Sequence, residues 1–202
     1  MKLVCFDLDG VLVDSMDWHF QAFNKAIHHI AGIRVTHEEH EMFFKGLPTK
    51  KKIEMMIQQG RLPEASSNII ASLKDTYFFG IVQQQLSRDE EKIKLIQHLK
   101  RDWMNVAVVS NCNKRNATLL LTAVGLIDQI DYLVSSSDVV AGKPSPEGYY
   151  KAMLQLRAFP DETVIIEDSP VGIAAAHATG AKVIEVTGPE QVTWQFMEQS
   201  LL

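Results

Sequence analysis

A short apolar run followed at once by two aspartates constrains this chain more than any other feature of its sequence. Leu3–Phe6 are all apolar, as is typical of a parallel strand that helices cover on both faces. Asp7 and Asp9 come next, and side-chain alternation places both carboxylates on one side while Leu8 faces the core. Neighbouring carboxylates repel each other unless a cation lies between them, and Mg²⁺ prefers such oxygen ligands. A second apolar run, 11–13, follows directly, so we favour a binding site over a pair of solvated turn aspartates.

The second half of the chain repeats this pattern, with apolar runs separated by segments of helical period. The runs that we assign to strands are 106–109, 132–134, 163–166 and 182–186. Helical segments lie between them, and a terminal helix follows the last one. Strands that alternate with helices form a parallel sheet, because each connection carries the chain back to the starting edge. The sequence therefore predicts an α/β fold with a doubly wound, Rossmann-like parallel sheet.

A helical module interrupts this alternation between the first strand and the second. Apolar residues such as Phe23 and Ile27 recur there at helical spacing, and no run in the module resembles a strand. We therefore predict two domains. Residues 1–14 and 87–202 would form an α/β core, and residues 15–86 would form an all-helical domain inserted into it.

Composition and charge narrow the classes of partner. The 202 residues carry a formal net charge of -5 without a large block of either sign, so the charge pattern does not indicate a nucleic-acid-binding surface. No apolar run approaches the length of a membrane span, and the apolar N-terminal stretch is too short for a secretory signal. Cys5 lies in the apolar strand, so we expect no disulfide. We expect a cytoplasmic protein, a monomer or weak dimer, with no nucleic-acid or membrane partner.

Polar residues follow the strands at the point where each strand ends. They are Asp7, Asp9, Ser110, Asn111, Ser135, Asp138, Glu167 and Asp168. Ligands of an open parallel sheet bind outside the carboxyl ends of the strands, where the strand order reverses. Residues that are scattered over the sequence would therefore meet at one edge, together with the loop residue Lys143. Carboxylates, hydroxyls and a lysine in one group suit a phosphate bridged by Mg²⁺.

Four segments at these positions resemble the ordered motifs of a single family. They are Phe6-Asp7-Leu8-Asp9-Gly10-Val11, Val109-Ser110-Asn111, Gly142-Lys143-Pro144-Ser145-Pro146 and Ile166-Glu167-Asp168-Ser169-Pro170-Val171-Gly172-Ile173. The family that they resemble is the haloacid dehalogenase-like superfamily, in its branch of phosphatases and β-phosphoglucomutases with a helical cap inserted after the first strand. The resemblance covers nearly the whole chain. It implies that the inserted helices form such a cap and that the substrate is a small phosphorylated metabolite.

The resemblance assigns the acidic residues to two tasks. Asp7 would be the nucleophile that attacks phosphorus and forms an aspartyl phosphate. Asp9 would be the acid and base, which protonates the leaving alkoxide and then deprotonates the attacking water. The carboxylates of Asp7 and Asp168 and the main-chain carbonyl of Asp9 would hold Mg²⁺, with Glu167 as a ligand either directly or through water. From the residues alone, Glu167 and Asp168 could be a charge pair at a helix N-terminus.

The resemblance also assigns polar and basic residues to the phosphate. Ser110 and the amide of Asn111 would bind phosphate oxygens, and Lys143 would neutralise both the phosphate and the nucleophile. His19, one turn into the first cap helix, matches a histidine that in this branch positions the acid/base aspartate. From the residues alone, His19 could equally be a boundary histidine on an amphipathic helix.

The helical module carries the residues that bear on the choice of substrate. Lys45 and Gly46 resemble the Lys-Gly of the mutase cap loop, in which an arginine that holds the distal phosphate follows shortly. Thr49 stands where that arginine is expected, and a mutase must hold both ends of a bisphosphate while it reorients. The sequence therefore favours a Mg²⁺-dependent phosphatase for a sugar phosphate or similar metabolite, with a β-phosphoglucomutase-type mutase as the alternative.

A non-catalytic phosphate-binding module is the remaining alternative. A phosphorelay receiver also combines an acidic pocket at strand ends with a lysine, and it accepts phosphate without turnover. Receivers are shorter, lack an inserted helical module and carry their acceptor aspartate on a middle strand. We take 106–109 as the middle strand here, and it ends in Ser110 rather than aspartate. This interpretation therefore ranks last.

Overall fold

The computed structural model describes residues 1–44 and 47–201. The chain divides into two compact units, one made of residues 1–14 with 86–202 and the other of residues 15–85. The first is an α/β unit, and the second consists of helices and turns. None of the described helices is both long enough and apolar enough to cross a membrane.

The sheet of the α/β unit is built from five parallel strands. They are β1 (Leu3–Phe6), β2 (Asn105–Val109), β3 (Tyr132–Val134), β4 (Thr163–Glu167) and β5 (Lys182–Glu185). Their order is β3-β2-β1-β4-β5, so the chain builds outward to β3 and then returns to the other side of β1. The order reverses between β1 and β4, where Phe6 pairs with Ile166. The doubly wound α/β fold predicted from the sequence is confirmed.

Helices account for most of the remaining described residues. Those of the helical unit are α1 (Met16–Ala31), the one-turn α2 (His37–Glu39), α3 (Thr49–Gln58) and α4 (Ser67–Gln85). Those of the α/β unit are α5 (Glu90–Arg101), α6 (Lys114–Ala123), α7 (Glu147–Gln155), α8 (Pro170–His177) and α9 (Trp194–Leu201). Helices α7 and α8 pack on the sheet through one apolar cluster, and α5 contacts β2. Crossovers between parallel strands are almost always right-handed, and the winding direction changes after β3, so we infer that α5 covers the opposite face.

An apolar cluster fills the space between the sheet and helices α7 and α8. Its buried members include Leu3, Cys5, Ala107, Val109, Val134, Tyr149, Ala152, Met153, Ile165, Ala175 and Ala176. The alternate residues Val4 and Phe6 face the opposite side and are also fully buried, which explains the unbroken apolar run of β1. Burial raises the pKa of the Cys5 thiol to about 12, although Lys143 opposes the shift. Cys5 is therefore a neutral core residue.

The helical unit has an apolar core of its own. Its larger buried members are Phe20, Phe23, Ile27, Phe44, Ile53, Met56 and Ile70. Helices α1 and α4 pack along each other, and a π-helical turn at His40–Phe44 follows α2. The described residues of this unit include no strand, as the continuous helical period of the sequence predicts.

The position of the first strand corrects one sequence-based expectation. The central strand of the sheet is β1, whereas the strand that we expected in the middle, β2, lies beside it. Position along the chain does not give position in a sheet when a crossover passes over the first strand. Asp7 therefore does follow a middle strand, and strand position gives no argument against a receiver-like module. The inserted helical unit still distinguishes this chain from one.

Candidate active site

The end of β1 brings both aspartates to the point where the strand order reverses. The Asp7 N–H donates to the Ile166 carbonyl at 3.0 Å, which extends the pairing of β1 with β4 by one residue. The chain then turns tightly, and the Val13 N–H donates back to the Leu8 carbonyl at 3.0 Å. Asp7 is buried and Asp9 is half-buried in this turn. The turn explains how a second apolar run can follow the aspartates without forming a surface loop.

Lys143 joins the ends of β1 and β4 through its ammonium group. Its Nζ donates to Asp7 Oδ1 at 2.6 Å and to Glu167 Oε1 at 2.5 Å. The three side chains are only 6%, 9% and 0% exposed, respectively. Charges held this close out of water interact more strongly than surface pairs do. Three residues that lie far apart in the sequence therefore form one buried ionic group.

Charges within this group shift the pKa values of its members. Burial lowers the pKa of Lys143, but the nearby charges of Asp7 and Glu167 outweigh burial and leave it raised, so the ammonium stays protonated. Burial raises the pKa of Asp7 well above its usual range, the charges of Glu167 and Asp9 add to the effect, and Lys143 opposes it. Carboxylates outnumber the cation here, and a further positive charge would favour ionised Asp7.

Ser110, directly after β2, connects the second strand to the aspartate pair. Its hydroxyl donates to Asp9 Oδ2 at 3.1 Å and accepts the N–H of Cys112 at 2.9 Å. The Ser110 N–H pairs with the Val134 carbonyl at 2.9 Å, so the neighbouring strand fixes its backbone. The serine is buried and held on both sides, which sets its hydroxyl beside the carboxylate to which the family resemblance assigns proton transfer.

The side chain of Asn111 holds the loop that carries Lys143. Its Oδ1 accepts the Lys143 N–H at 2.8 Å, and its Nδ2 donates to the Lys143 carbonyl at 3.1 Å. Glu147 fixes the same loop from its other side, because its carboxylate accepts the N–H groups of Val140 and Ala141 at 2.8 and 2.9 Å. Both polar atoms of the Asn111 side chain thus hydrogen-bond to the backbone of Lys143. The backbone amide of Asn111, rather than its side chain, is the group that is predicted to bind a phosphate oxygen.

Glu167 and Asp168 differ in how many hydrogen bonds their carboxylate oxygens already accept. Glu167 Oε1 accepts from Lys143 and from Tyr149, and its Oε2 accepts the Asp168 N–H at 3.2 Å and the Ser169 hydroxyl at 3.4 Å. Asp168 Oδ1 is buried and has no hydrogen-bond partner among the described residues. Burial, and then the charge of Glu167, raise the pKa of Asp168 to about 6.

These residues fit a divalent cation. Carboxylate oxygens of Asp7, Glu167 and Asp168 lie within 4.8 Å of one another. The unsatisfied Asp168 oxygen is a ready ligand, because a buried carboxylate oxygen without a donor is costly unless a cation satisfies it. Glu167 is the least available of the three, since both of its oxygens already accept two hydrogen bonds each.

Two glycines allow the backbone to approach these carboxylates closely. Gly10 has a φ of +95°, and a Cβ there would lie 2.3 Å from Asp168 Oδ2. A Cβ on Gly172, in the first turn of α8, would lie 2.1 Å from the Glu167 carboxylate. Both glycines therefore leave room for a carboxylate of the site.

The Gly172→Ala variant is expected to be destabilised by about 1–3 kcal/mol, because the fully buried Glu167 carboxylate has no room to move. Gly80→Ala is the matched control, since Gly80 also lies in a helix but has open space around its would-be Cβ. That variant should be neutral or stabilised by up to about 1 kcal/mol through helix propensity. Urea unfolding of both checks the difference. Equal stability of the two variants would mean that the Glu167 side chain can move aside.

The helical unit holds the remaining residues that the sequence singles out. His19 lies on α1, stacks on Phe78 with 4.0 Å between ring centroids, and its Nδ1 lies 2.8 Å from Lys74 Nζ. Thr49 is the first residue of α3. Lys45 and Gly46 lie outside the described residues. His19 and the residues at the strand ends belong to different units of the chain.

Two residues that contact predicted site residues, and one that fixes the loop of Lys143, were missed from the sequence. Lys74 is a buried lysine on α4 beside His19, Tyr149 is a buried tyrosine on α7 beside Glu167, and Glu147 fixes the loop of Lys143. Lys74 could have been singled out from the sequence, because it is a lysine among the apolar residues of a helix. Tyr149 and Glu147 follow Lys143 within six residues, but nothing in their spacing shows which groups they bond.

Comparison with known proteins identifies the family. The sequence profile described as haloacid dehalogenase-like hydrolase matches residues 4–186. The chain belongs to the haloacid dehalogenase-like hydrolases. The resemblance that the four motifs carry is thereby confirmed, and the match extends from β1 past β5 and includes the inserted helical unit.

Relatives of this haloacid dehalogenase-like hydrolase include both phosphatases and mutases. A phosphorylated carbohydrates phosphatase from Thermotoga maritima is 24% identical over 184 residues, which are 91% of this chain and 84% of the relative. A β-phosphoglucomutase from Bacillus subtilis is 26% identical over 192 residues, 92% of this chain and 83% of the relative. CbbY from Rhodobacter sphaeroides, solved in complex with phosphate, has a TM-score of 0.83 at 25% identity, covering 93% of this chain and 87% of its own.

Proposed function

We propose that this chain is a Mg²⁺-dependent phosphatase that hydrolyses a small phosphomonoester through an aspartyl phosphate on Asp7. The observation that carries the proposal is the buried Lys143 ammonium, which bridges Asp7 and Glu167 where the strand order reverses. A positive charge at this point offsets the repulsion between a carboxylate nucleophile and a phosphate dianion. The Ser110 hydroxyl beside Asp9 supplies a donor for phosphate oxygens at the same edge.

The first step would transfer the phosphoryl group to the protein. A carboxylate oxygen of Asp7 attacks phosphorus, a new P–O bond forms, and the bond between phosphorus and the alcohol oxygen breaks. Asp9 gives its proton to the departing alkoxide, so that a neutral alcohol leaves. Ser110, the backbone amide of Asn111 and the ammonium of Lys143 bind the phosphate oxygens as the charge on them shifts.

The second step would return the phosphoryl group to water. Asp9, now ionised, accepts a proton from a water molecule, whose oxygen attacks the phosphorus of the aspartyl phosphate. The bond between phosphorus and the Asp7 oxygen breaks, and inorganic phosphate and the free Asp7 carboxylate result. Asp9 regains its proton in this step, so one residue serves first as the acid and then as the base.

The carboxylates of Asp7 and Asp168 and the main-chain carbonyl of Asp9 are the groups that would hold Mg²⁺. The buried Asp168 oxygen without a donor supports this assignment, whereas the four donors around Glu167 favour a role for Glu167 through water or through Lys143. Bound Mg²⁺ would supply positive charge that polarises the phosphate and keeps the neighbouring carboxylates ionised. We also propose that residues 15–85 act as the cap.

Mg²⁺ is expected to raise the melting temperature of the protein more at about pH 7.5 than at about pH 5. Because the pKa of Asp168 is raised to about 6, the folded metal-free chain keeps a proton there that the unfolded chain has already lost. A cation must displace that proton, so stabilisation by Mg²⁺ grows as the pH rises through this range. Thermal unfolding with and without Mg²⁺ at both pH values checks the expectation.

Two variants control this measurement. Asp168→Asn removes the ionisable ligand and should abolish most of the shift that Mg²⁺ produces. Asp128→Asn makes the same change at an exposed aspartate between α6 and β3 and should keep the whole shift. A Mg²⁺-induced shift of equal size at both pH values, or one that survives in Asp168→Asn, contradicts the assignment of Asp168.

A screen of phosphomonoesters tests the function itself. Sugar phosphates, phosphoglycolate, polyol phosphates and nucleoside monophosphates would be incubated with the protein and Mg²⁺, and released phosphate would be measured. We expect turnover of at least one sugar phosphate or similar metabolite, and its loss in excess chelator. Absence of phosphate release from the whole panel, or full turnover in chelator, refutes the proposal.

The mutase is the second candidate, because one relative is a β-phosphoglucomutase. Thr49, where the mutase loop is expected to carry its arginine, favours the hydrolase. The two activities differ in product. NMR of β-glucose 1-phosphate incubated with the protein and a trace of the 1,6-bisphosphate would show inorganic phosphate and glucose for the phosphatase, and glucose 6-phosphate for the mutase.

A further inference from the structure

A tyrosine hydroxyl shares the carboxylate oxygen that Lys143 uses. Tyr149, on α7, donates its hydroxyl proton to Glu167 Oε1 at 2.5 Å, and Lys143 Nζ donates to the same atom at 2.5 Å. Tyr149 is 0% exposed, and the Lys143 ammonium lies 5.1 Å from the centroid of its ring. The tyrosine thus contacts both partners of the ion pair between Lys143 and Glu167, and it does so from the core side.

Packing alone explains the ring of Tyr149 but not its hydroxyl. The ring belongs to the apolar cluster under α7, which also includes Cys5 and Met153, and phenylalanine would fill the same space. A buried hydroxyl is costly unless it is hydrogen-bonded, and its partner here is a site carboxylate rather than a backbone group. Burial, followed by the charge of Glu167, raises the pKa of Tyr149 well above its usual range, so the hydroxyl remains a donor.

We propose that Tyr149 is a positioning residue, whose hydroxyl fixes Glu167 and through it holds the Lys143 ammonium on Asp7 and the bound phosphate. The inference rests on the proposed function and adds a residue to it. Without the hydroxyl, Oε1 of this fully buried carboxylate keeps Lys143 as its one strong donor, and the volume of the lost oxygen opens beside it. The carboxylate can then shift towards α7 and take the ammonium that is bound to it away from Asp7. The charge that serves Asp7 and the phosphate in the transition state is then displaced.

The Tyr149→Phe variant tests this with the loss of one oxygen atom. We expect kcat to fall roughly tenfold with KM within about twofold of wild type, because a displaced charge weakens the transition state more than the ground state. This loss is smaller than the roughly 10²–10³-fold that removal of a direct charge stabiliser costs. The neighbouring Tyr150→Phe is the matched control, since Tyr150 is an exposed residue whose hydroxyl donates to the Ala178 carbonyl at 3.1 Å and not to Glu167.

A double-mutant cycle with Lys143→Met separates positioning from general stability. If Tyr149 acts through Lys143, Tyr149→Phe should cause little further loss of kcat once the ammonium is absent. A purely structural role predicts the same factor in both backgrounds. Thermal unfolding of all variants shows whether each is folded. If Tyr149→Phe unfolds too easily, para-aminophenylalanine at position 149 keeps a donor and should restore kcat to near the wild-type value.

The outcomes distinguish this inference from the function on which it rests. Turnover in Tyr149→Phe equal to that in Tyr150→Phe, or an undiminished effect in the Lys143→Met background, overturns the role of Tyr149 and leaves the phosphatase standing. Failure of para-aminophenylalanine at position 149 to restore kcat also overturns the role of Tyr149 and leaves the phosphatase standing. A wild-type chain that hydrolyses none of the phosphomonoesters refutes the proposed function, and this inference with it.

Discussion

The Asp7→Asn variant is expected to lose hydrolysis of every phosphomonoester that the wild-type chain accepts. Asparagine fits the same space at the end of β1, but its amide cannot form the acyl phosphate that the proposed mechanism requires. The change also removes one of the two carboxylates that Lys143 bridges. The measurement is phosphate release from an alkyl phosphate and from an aryl phosphate in the presence of Mg²⁺. The residual rate of the variant is expressed as a fraction of the wild-type rate.

The control for this variant is Asp128→Asn, which makes the same chemical change at an exposed aspartate of the α/β unit. It should keep full turnover, and thermal unfolding should show that both variants are folded. Substantial turnover in Asp7→Asn would mean that another group accepts the phosphoryl group. Mass spectrometry of a quenched reaction gives an independent test, because phosphate on a peptide that lacks Asp7 contradicts the assignment of the nucleophile.

The Asp9→Asn variant is expected to lose activity to an extent that depends on the leaving group. The variant keeps the backbone carbonyl of residue 9, which would hold Mg²⁺, but it lacks the carboxylic acid that donates the proton. A poor leaving alkoxide needs that proton, and general acid catalysis contributes about 10²–10⁴-fold. An aryl phosphate has a stable leaving group and needs protonation far less in the first step. The rate ratio of wild type to variant should therefore be much larger for the alkyl phosphate than for the aryl phosphate.

The second step gives this prediction a further readout. Asp9→Asn also lacks the base that deprotonates the attacking water, so the phosphoenzyme should accumulate when an aryl phosphate is the substrate. Mass spectrometry should then find phosphate on the peptide that contains Asp7. Equal losses for both substrates, together with no trapped phosphopeptide, would assign the acid and base to another residue.

The sequence was sufficient to predict the fold class and which polar residues meet at the carboxyl edge of the sheet. A parallel strand that is buried on both faces needs an unbroken run of apolar residues. The residues of Leu3–Phe6 form such a run, so the sequence alone indicates that both faces of this strand are buried. The carboxyl ends of parallel strands must lie along one edge. Polar residues placed directly after strands, such as Asp7 and Ser110, could therefore be assigned to one site before any contact was known.

The order of the strands could not be predicted in the same way. We expected the strand at 106–109 in the middle of the sheet, but β1 occupies that position because the chain crosses back over it from β3 to β4. The direction of a crossover depends on which faces the helices cover, and no local pattern records this. The reversal of order between β1 and β4, which brings Lys143 between Asp7 and Glu167, is thus a tertiary property.

The sequence by itself determined which kinds of group gather at the edge of the sheet, since strand burial and the residues after each strand are local properties. Only the tertiary structure decided which contacts each group makes there. It shows that the Asn111 side chain holds the backbone of Lys143, and that Tyr149 donates to Glu167 from 18 residues away. Hydrogen bonds between distant residues depend on register and helix placement to within an ångström, and neither composition nor spacing carries that information.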